Sequence, residues 1–382
     1  MLMEESKEIK NWDDLDLPTD LLRGIYAYGF EKPSAIQSLA CVHMINGKDV
    51  LAQAQSGTGK TGAFTIGALA RITPEIATQI IILSPTRELA LQTTEVVTNL
   101  SIMMKLHIKT LIGGSYVDIY ELKNNPPHII VGTPGRITEM IYKKAISVAT
   151  VKMVILDEAD ELFSFGFKEQ ILDILNKFNT DTQVALFSAT IPDNILPLAL
   201  SLLKDPIQIQ VTPEKLVLDG IAQYYVPIND DNQKFLTLKD LFGRFTLYQT
   251  IIYCNSVERV VELYHAMKTE SYPVCCIHSN MEKHERTDTY NEFKSGKFRV
   301  LISSNVTARG IDIQQVSIVI NFDLPKDPHT YLHRIGRSGR WGRKGIGINF
   351  ITKYDINTIK TIESHYNIDI EELPLQFENI LK

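Results

Sequence analysis

The sequence predicts an α/β protein built as two tandem domains, each a mostly parallel sheet flanked by helices. Short apolar runs rich in β-branched residues alternate with amphipathic stretches, the pattern of strand–helix–strand units. The runs fall into two series parted by a segment of little periodicity. The chain's 382 residues also exceed the roughly 150 of one average domain.

In the first series DVLAQA, QIIILS, IKTLI, HIIVG, MVIL and QVALFS read as buried strands. The segment from Thr212 to Gly220, with a proline, a glycine and alternating charge, reads as a linker between a domain over 1–211 and another over 221–382. The second series is IAQYYVPI, TIIYC, PVCCI, RVLIS, VSIVIN and GIGINF, with helices such as Val257–Thr269 and Glu282–Ser295 interposed.

Charged residues at 22% and hydrophobic ones at 44% are near globular averages and exclude a disordered or fibrous chain. A net charge of −6 excludes a surface that works as a whole as a polycation, so any nucleic-acid contact is local. Cys41, Cys254, Cys275 and Cys276 show no C-x-x-C spacing, which argues against structural zinc and a secreted disulfide framework. The start, MLMEESKEIK, is acidic where a signal peptide is apolar. The longest apolar block, Ile195 to Leu203, is nine residues with a proline inside. The expectation is a cytoplasmic protein, or alternatively a nuclear one, with no membrane span.

Two motifs carry chemistry. After DVLAQA comes Ala54-Gln-Ser56-Gly57-Thr58-Gly59-Lys60-Thr61, then a helical run from Gly62 to Arg71. This is a phosphate loop in strand–loop–helix context, with Ala54 where the common pattern has glycine. Glycines let backbone amides of Ser56, Gly57, Thr58 and Gly59 face phosphate oxygens, and the helix N-terminus favours anions. Lys60 would neutralise the β- and γ-phosphates and Thr61 would offer its hydroxyl to Mg²⁺. The second motif, Met153-Val-Ile-Leu156-Asp157-Glu158-Ala159-Asp160, is an apolar strand ending in carboxylates, where ligands bind in open α/β sheets. Asp157 would hold the Mg²⁺ and Glu158 would orient or deprotonate the attacking water.

Asp-Glu-Ala-Asp at 157–160 names a family. The chain resembles the DEAD-box ATP-dependent RNA helicases nearly end to end, and within them the group of translation initiation factor 4A and its paralogues. LLRGIYAYGFEKPSAIQ over Leu21–Gln37 and YLHRIGRSGRWGRK over Tyr331–Lys344 are the most specific stretches. The resemblance implies two RecA-like domains and an adenine site in which Phe30 stacks on the base and Gln37 reads its amino and ring-nitrogen edge. It implies that Ser188 and Thr190 bond to Asp160 and, with His333, couple the domains. It also implies that Arg337 and Arg340 act as arginine fingers on the γ-phosphate and that Asp312 contacts the ribose. With the phosphate loop in one domain and these arginines in the other, ATP would close the two together.

The resemblance further assigns RNA-backbone contacts to Pro85, Thr86, Arg87, Gly113, Gly114, Thr133, Pro134, Gly135 and Arg136 in the first domain, and to Asn255, Arg286, Ser304 and Arg309 in the second. Such loops hold phosphates without reading bases, so binding should be sequence-independent. No aromatic platform of the kind that stacks successive bases is expected. The chain departs from the family pattern at His278-Ser279-Asn280, in place of His-Gly-Asp, and at Ser304-Asn305, in place of Thr-Asp. These readings make the chain a monomeric RNA-dependent ATPase that separates short duplexes in translation initiation, with a helical-repeat scaffold of the 4G type as partner. The alternative is an ATP-gated RNA clamp in a processing complex.

Overall fold

A computed structural model describes residues 9–54, 57–164, 166–211, 221–243, 248–305, 316–338 and 345–374. The chain divides into two compact units, Met1–Val211 and Thr212–Lys382. Ser56, Arg309, Asp312, Arg340 and the expected linker lie outside the described residues.

The first unit holds strands β1 (Val50–Gln53), β2 (Ile80–Leu83), β3 (Ile108–Leu111), β4 (Ile129–Gly132), β5 (Met153–Asp157), β6 (Gln183–Ser188) and β7 (Ile207–Gln210). They form one sheet in the order β3-β4-β2-β5-β6-β1-β7, every pair parallel. Parallel neighbours need crossovers, and the amphipathic stretches supply them as α3 (Lys60–Leu69), α4 (Arg87–Leu100), α5 (Ile119–Asn124) and α6 (Pro134–Tyr142), followed by α7 (Ala159–Ser164), α8 (Lys168–Leu175) and α9 (Leu196–Ser201). Ahead of the sheet lie α1 (Thr19–Ala27) and α2 (Ala35–Ile45).

Both faces of this sheet are covered, which is why its central strands are nearly continuous apolar runs. Side chains alternate between two cores: Ile80, Ile82, Ile155 and Phe187 join one with Trp12, Ile25 and Phe64. Ile81, Leu83, Val154, Leu156 and Leu186 join the other with Ile137, Leu162 and Ile171.

The second unit repeats the plan with β8 (Ile221–Pro227), β9 (Gln249–Tyr253), β10 (Val274–Ile277), β11 (Val300–Ser303), β12 (Val316–Asn321), β13 (Gly345–Ile351) and β14 (Glu371–Glu372). Its order is β10-β11-β9-β12-β13-β8-β14, again all parallel. Counting each unit's strands from one, both orders read 3-4-2-5-6-1-7. The helices are α10 (Lys234–Phe242), α11 (Val257–Thr269), α12 (Lys283–Lys294), α13 (Pro328–Ile335) and α14 (Ile356–Tyr366). The edge strands β7 and β14 escape the sequence reading: one alternates apolar with polar residues and the other is two glutamates. Among the described residues no helix is long and apolar enough to cross a membrane.

An all-parallel sheet puts every strand's carboxyl end on one edge. In the first unit that edge gathers the turns after β1, β2, β3, β4, β5 and β6, and in the second those after β9, β11 and β12. Apart from Phe30 and Gln37, which precede β1, and Arg286, on the helix after β10, the described residues singled out from sequence sit on these turns or on the helices that follow them.

Candidate active site

β1 leads into a turn in which Gly57 and Gly59 have φ of +85° and +100°, left-handed values that favour glycine. Gly59 caps α3, and Lys60 and Thr61 form its first turn. A Cβ on Gly59 would come within 2.8 Å of Gln37 Nε2, so the turn is shaped by conformation and by close approach together.

Lys60 is 6% exposed, and its Nζ lies 3.5 Å from Glu158 Oε1. Neither that Nζ nor Glu158 Oε2 finds a hydrogen-bond partner among the described residues. Glu158 itself has φ +50°, a strained value for a residue with a side chain, of the kind that clusters at functional sites. The turn starts α7, where the backbone N–H groups of Glu161 and Leu162 donate to the Glu158 carbonyl.

Asp157 ends β5 and is buried, with its Oδ1 accepting the Glu158 N–H at 3.0 Å. Burial, reinforced by the charge of Glu158, pushes its carboxyl up to about 7, against the opposing pull of Lys60. Asp160, also buried, has both carboxylate oxygens engaged: Ser188 Oγ donates to Oδ1 at 2.6 Å and Thr190 Oγ1 to Oδ2 at 2.7 Å. The acidic strand end and the segment after β6 are thereby tied together.

These residues fit a magnesium nucleotide. The buried Lys60 ammonium lacks a hydrogen-bond partner among the described residues and adjoins a helix N-terminus, as a phosphate ligand requires. Among the described residues no cluster of three or more His, Cys, Asp or Glu side chains could hold a metal by itself. Mg²⁺ bound mainly through phosphates and water, with Thr61 and Asp157, needs no such cluster.

Next to the loop, Ser34 and Gln37 form a capping box at the start of α2. Gln37 Oε1 accepts the Ser34 N–H at 2.9 Å and Nε2 donates to the Gly59 carbonyl at 3.3 Å. Phe30 stacks on buried Trp12 at 6.4 Å and meets the edge of Tyr28 at 4.9 Å. A Cβ on Gly62 would come within 2.6 Å of Gln37 Nε2 and 2.8 Å of Phe30 Cε2. Phe30 and Gln37 thus border the loop, and Gly62, which the sequence marks only as the start of a helical run, leaves them room. The Ser34-x-x-Gln37 spacing is the sequence signature of that capping box.

The loops assigned to RNA follow β2, β3 and β4. Thr86 caps α4 by accepting the Leu89 N–H at 3.2 Å; Arg87 follows it, and its Nη1 is buried without a partner among the described residues. Thr133 caps α6, with Pro134 at the first helical position and Gly135 exposed. Arg136 pairs with Glu139 and donates from Nη2 to the Ser115 carbonyl at 2.9 Å, just after Gly113 and Gly114. The structure therefore joins the β3 and β4 loops through an arginine the sequence had singled out.

In the second unit Ser304 is buried, Arg286 lies half-buried on α12 and Asn255 follows β9. Asn255 is engaged within its own unit. Its N–H donates to Asp323 Oδ2 at 3.1 Å, its Nδ2 to the Leu324 carbonyl at 2.8 Å, and its Oδ1 accepts from Arg334 at 2.8 Å. His333 and Arg337 are buried on and just after α13, and the Arg337 Nε donates to the His333 carbonyl at 3.2 Å.

Arg334 is the group that the sequence reading undervalues. It is fully buried, and its guanidinium donates to Asn305 Oδ1 at 2.7 and 2.9 Å, Asn321 Oδ1 at 3.1 Å, the Asp323 carbonyl at 2.8 Å and Asn255 Oδ1 at 2.8 Å. Its face lies over the Tyr253 ring at 5.2 Å. Every acceptor is neutral, and burial lowers the guanidinium to about 10. Beside it the Asp323 carboxylate is held by Arg259 at 2.7 Å and Lys234 at 2.9 Å.

Two parallel-sheet units in tandem, one carrying a glycine-rich loop, a buried lysine and an acidic strand end at its carboxyl edge, define a phosphate-loop enzyme with RecA-like domains. Comparison with known proteins narrows the class. A family model described as DEAD/DEAH box helicase matches residues 34–198, and one described as helicase conserved C-terminal domain matches 233–342. The ATP-dependent RNA helicase eIF4A of Kluyveromyces lactis is 48% identical over 96% of this chain and 93% of its own length. The ATP-dependent RNA helicase FAL1 of Scheffersomyces stipitis is 46% identical over 99% of this chain and 96% of its own. The structure of S. cerevisiae Dbp5 bound to RNA and ADP BeF3 is similar at a TM-score of 0.92 and 35% identity, covering 98% of this chain and 99% of that one. The chain belongs to the DEAD-box family of helicases.

Proposed function

We propose that this helicase hydrolyses ATP in response to RNA, holds RNA by its backbone without reading sequence, and separates short duplexes in translation initiation. The observation that carries the ATP chemistry is the buried Lys60–Glu158 pair, 3.5 Å apart at the carboxyl edge of the first sheet, each side chain with an atom that has no hydrogen-bond partner among the described residues. Lys60 binds the terminal phosphates, the turn glycines expose backbone amides to them, and Glu158 orients and deprotonates the attacking water. Bound Mg²⁺, held by Thr61 and Asp157, would neutralise charge on the phosphate oxygens. Phe30 and Gln37, beside the same loop, receive the adenine, and Asp312 the ribose.

Asp160, clamped by Ser188 and Thr190, is suited to pass the state of the acidic motif to the strand end after β6, and with His333 it couples nucleotide to domain closure. Arg337 and Arg340 belong to the second unit and would act on the γ-phosphate, so hydrolysis requires both units. The relatives' names support translation initiation over nuclear processing, and with it a cytoplasmic site of action; a 4G-type helical-repeat scaffold as partner rests on the family resemblance alone. Glu158→Gln tests the reading. RNA-stimulated ATP hydrolysis should fall about a hundredfold or more, the contribution typical of a general base. RNA-independent rates equal in the two proteins would sink it.

A further inference from the structure

Two tyrosines beside the β3 loop have no structural role that the fold accounts for. Tyr116 is 89% exposed and Tyr120 78%, whereas the other exposed tyrosines are engaged. Tyr26 bonds Asp13, Tyr142 bonds Asp173, Tyr28 packs on Phe30 and Tyr354 lies beneath Lys353. Among the described residues no hydrogen bond, ring or cation is set against the side chain of Tyr116 or Tyr120. Exposing two large rings to water without a packing return is the kind of feature that marks a binding surface.

The backbone that carries Tyr116 is nonetheless fixed. Gly114 turns the chain at φ +81°, and Ser115 donates to the Ile112 carbonyl from its N–H at 3.3 Å and its Oγ at 2.7 Å. The Ser115 carbonyl accepts from Arg136 Nη2 at 2.9 Å. On the other side Asp118 caps α5 by accepting the N–H groups of Tyr120 at 2.9 Å and Glu121 at 3.1 Å. A ring on such a loop loses little backbone freedom when it binds. The tether itself is one of the residues assigned to RNA phosphates, next to the assigned Gly113 and Gly114.

We propose that Tyr116, with Tyr120 following it, is a base-stacking site for the single-stranded RNA whose phosphates are held by Gly113, Gly114 and the Thr133–Arg136 loop. Aromatic stacking tolerates every base, so this contact adds affinity while preserving sequence independence. It adds to the backbone loops the aromatic platform that the sequence reading did not expect. The inference rests on the proposed RNA track and can fail separately from it.

The test is equilibrium binding of the full chain, with magnesium and a non-hydrolysable ATP analogue, to decauridylate and to an abasic oligonucleotide of the same length. Tyr116→Ala should weaken decauridylate roughly five- to a hundredfold, the range for loss of a base-stacking aromatic. It should leave abasic binding and the salt dependence unchanged, and Tyr116→Phe should bind as the parent does. Arg136→Ala should weaken both oligonucleotides and lower the salt slope. If Arg136→Ala weakens binding and Tyr116→Ala does not, the tyrosines serve a protein partner and the stacking proposal is overturned. Equal losses on both oligonucleotides from Tyr116→Ala overturn it too, since the ring would then only shape the loop. If neither variant changes binding, the RNA track through this loop is itself wrong.

Discussion

The two units share one strand order but treat their buried charges in opposite ways. At the carboxyl edge of the first sheet, Lys60 and Glu158 each keep a buried atom without a hydrogen-bond partner among the described residues, and Asp157 favours its protonated form. At the same edge of the second, Lys234, Arg259 and Arg334 are bonded from within the unit. Buried polar groups are ordinarily satisfied, so an unsatisfied set marks the place where a charged ligand completes the structure. The second unit's cations instead fix the ends of β9 and β12, and Asn255 and Asp323 are the joints between them. At these two clusters the one scaffold leaves a buried pair open in the first unit and closes a cation network on itself in the second.

Removing the central group from each side is the strongest way to break this contrast. Arg334→Ala should destabilise the second unit by about 3 kcal/mol or more, because it leaves a cavity and several acceptors without a donor. Glu158→Gln should change the stability of the nucleotide-free protein by less than about 1 kcal/mol, since it relieves repulsion at Asp157 while weakening the contact to Lys60. Denaturation followed by hydrogen exchange read for each unit in the intact chain measures both. Losses of equal size would erase the distinction between the two edges.

Acid and base should act on the two units with opposite sign. The Asp157 carboxyl is raised from 3.8 to about 7 by burial and by Glu158. The folded first unit therefore holds a proton that the unfolded chain releases, and the stability this confers is full below pH 3.8 and lost as pH climbs to about 7. At Asp323 burial pushes the carboxyl up, but the bonds from Arg259 and Lys234 outweigh it and leave it below its ordinary value. Its contribution is present above that ordinary value and disappears as pH falls beneath it. In magnesium-free protein, Asp157→Asn should flatten the first unit's decline between pH 4 and 7, at most about 4 kcal/mol, and leave the acid limb of the second unit in place. Unit-resolved exchange across pH checks this; an unchanged decline in the variant would place the titrating group elsewhere.

Both the legible and the hidden parts have physical reasons. The central strands are visible because burial on both faces makes them continuous apolar runs, as in Ile80–Leu83 and Ile129–Gly132. The edge strands carry no such signature: Ile207–Gln210 is largely solvated and Glu371–Glu372 is exposed. The phosphate loop and the acidic strand end are contiguous in sequence, so residue type and spacing suffice. The contacts of Asp160 with Ser188 and Thr190 span 28 and 30 residues, and only the family resemblance pointed to them. Arg334 looks in sequence like one more cation in a basic stretch. Its acceptors come from three separate segments, at 255, 305 and 321–323, which no local pattern brings together.

Asn305 offers the smallest and most discriminating perturbation. The family pattern has an aspartate at this position, and here the side-chain oxygen accepts two bonds from a fully buried guanidinium. Restoring the carboxylate by Asn305→Asp turns two hydrogen bonds from a cation to a neutral acceptor into a charge-assisted bidentate pair. Asn305 is exposed, so the new charge keeps most of its hydration and the desolvation penalty stays small. The second unit should gain about 1 kcal/mol, seen as a later thermal transition, with no change in the first unit. A neutral or destabilising result would mean that the asparagines already satisfy Arg334 as well as a carboxylate can, and that the contrast between the units rests on hydrogen bonding rather than charge.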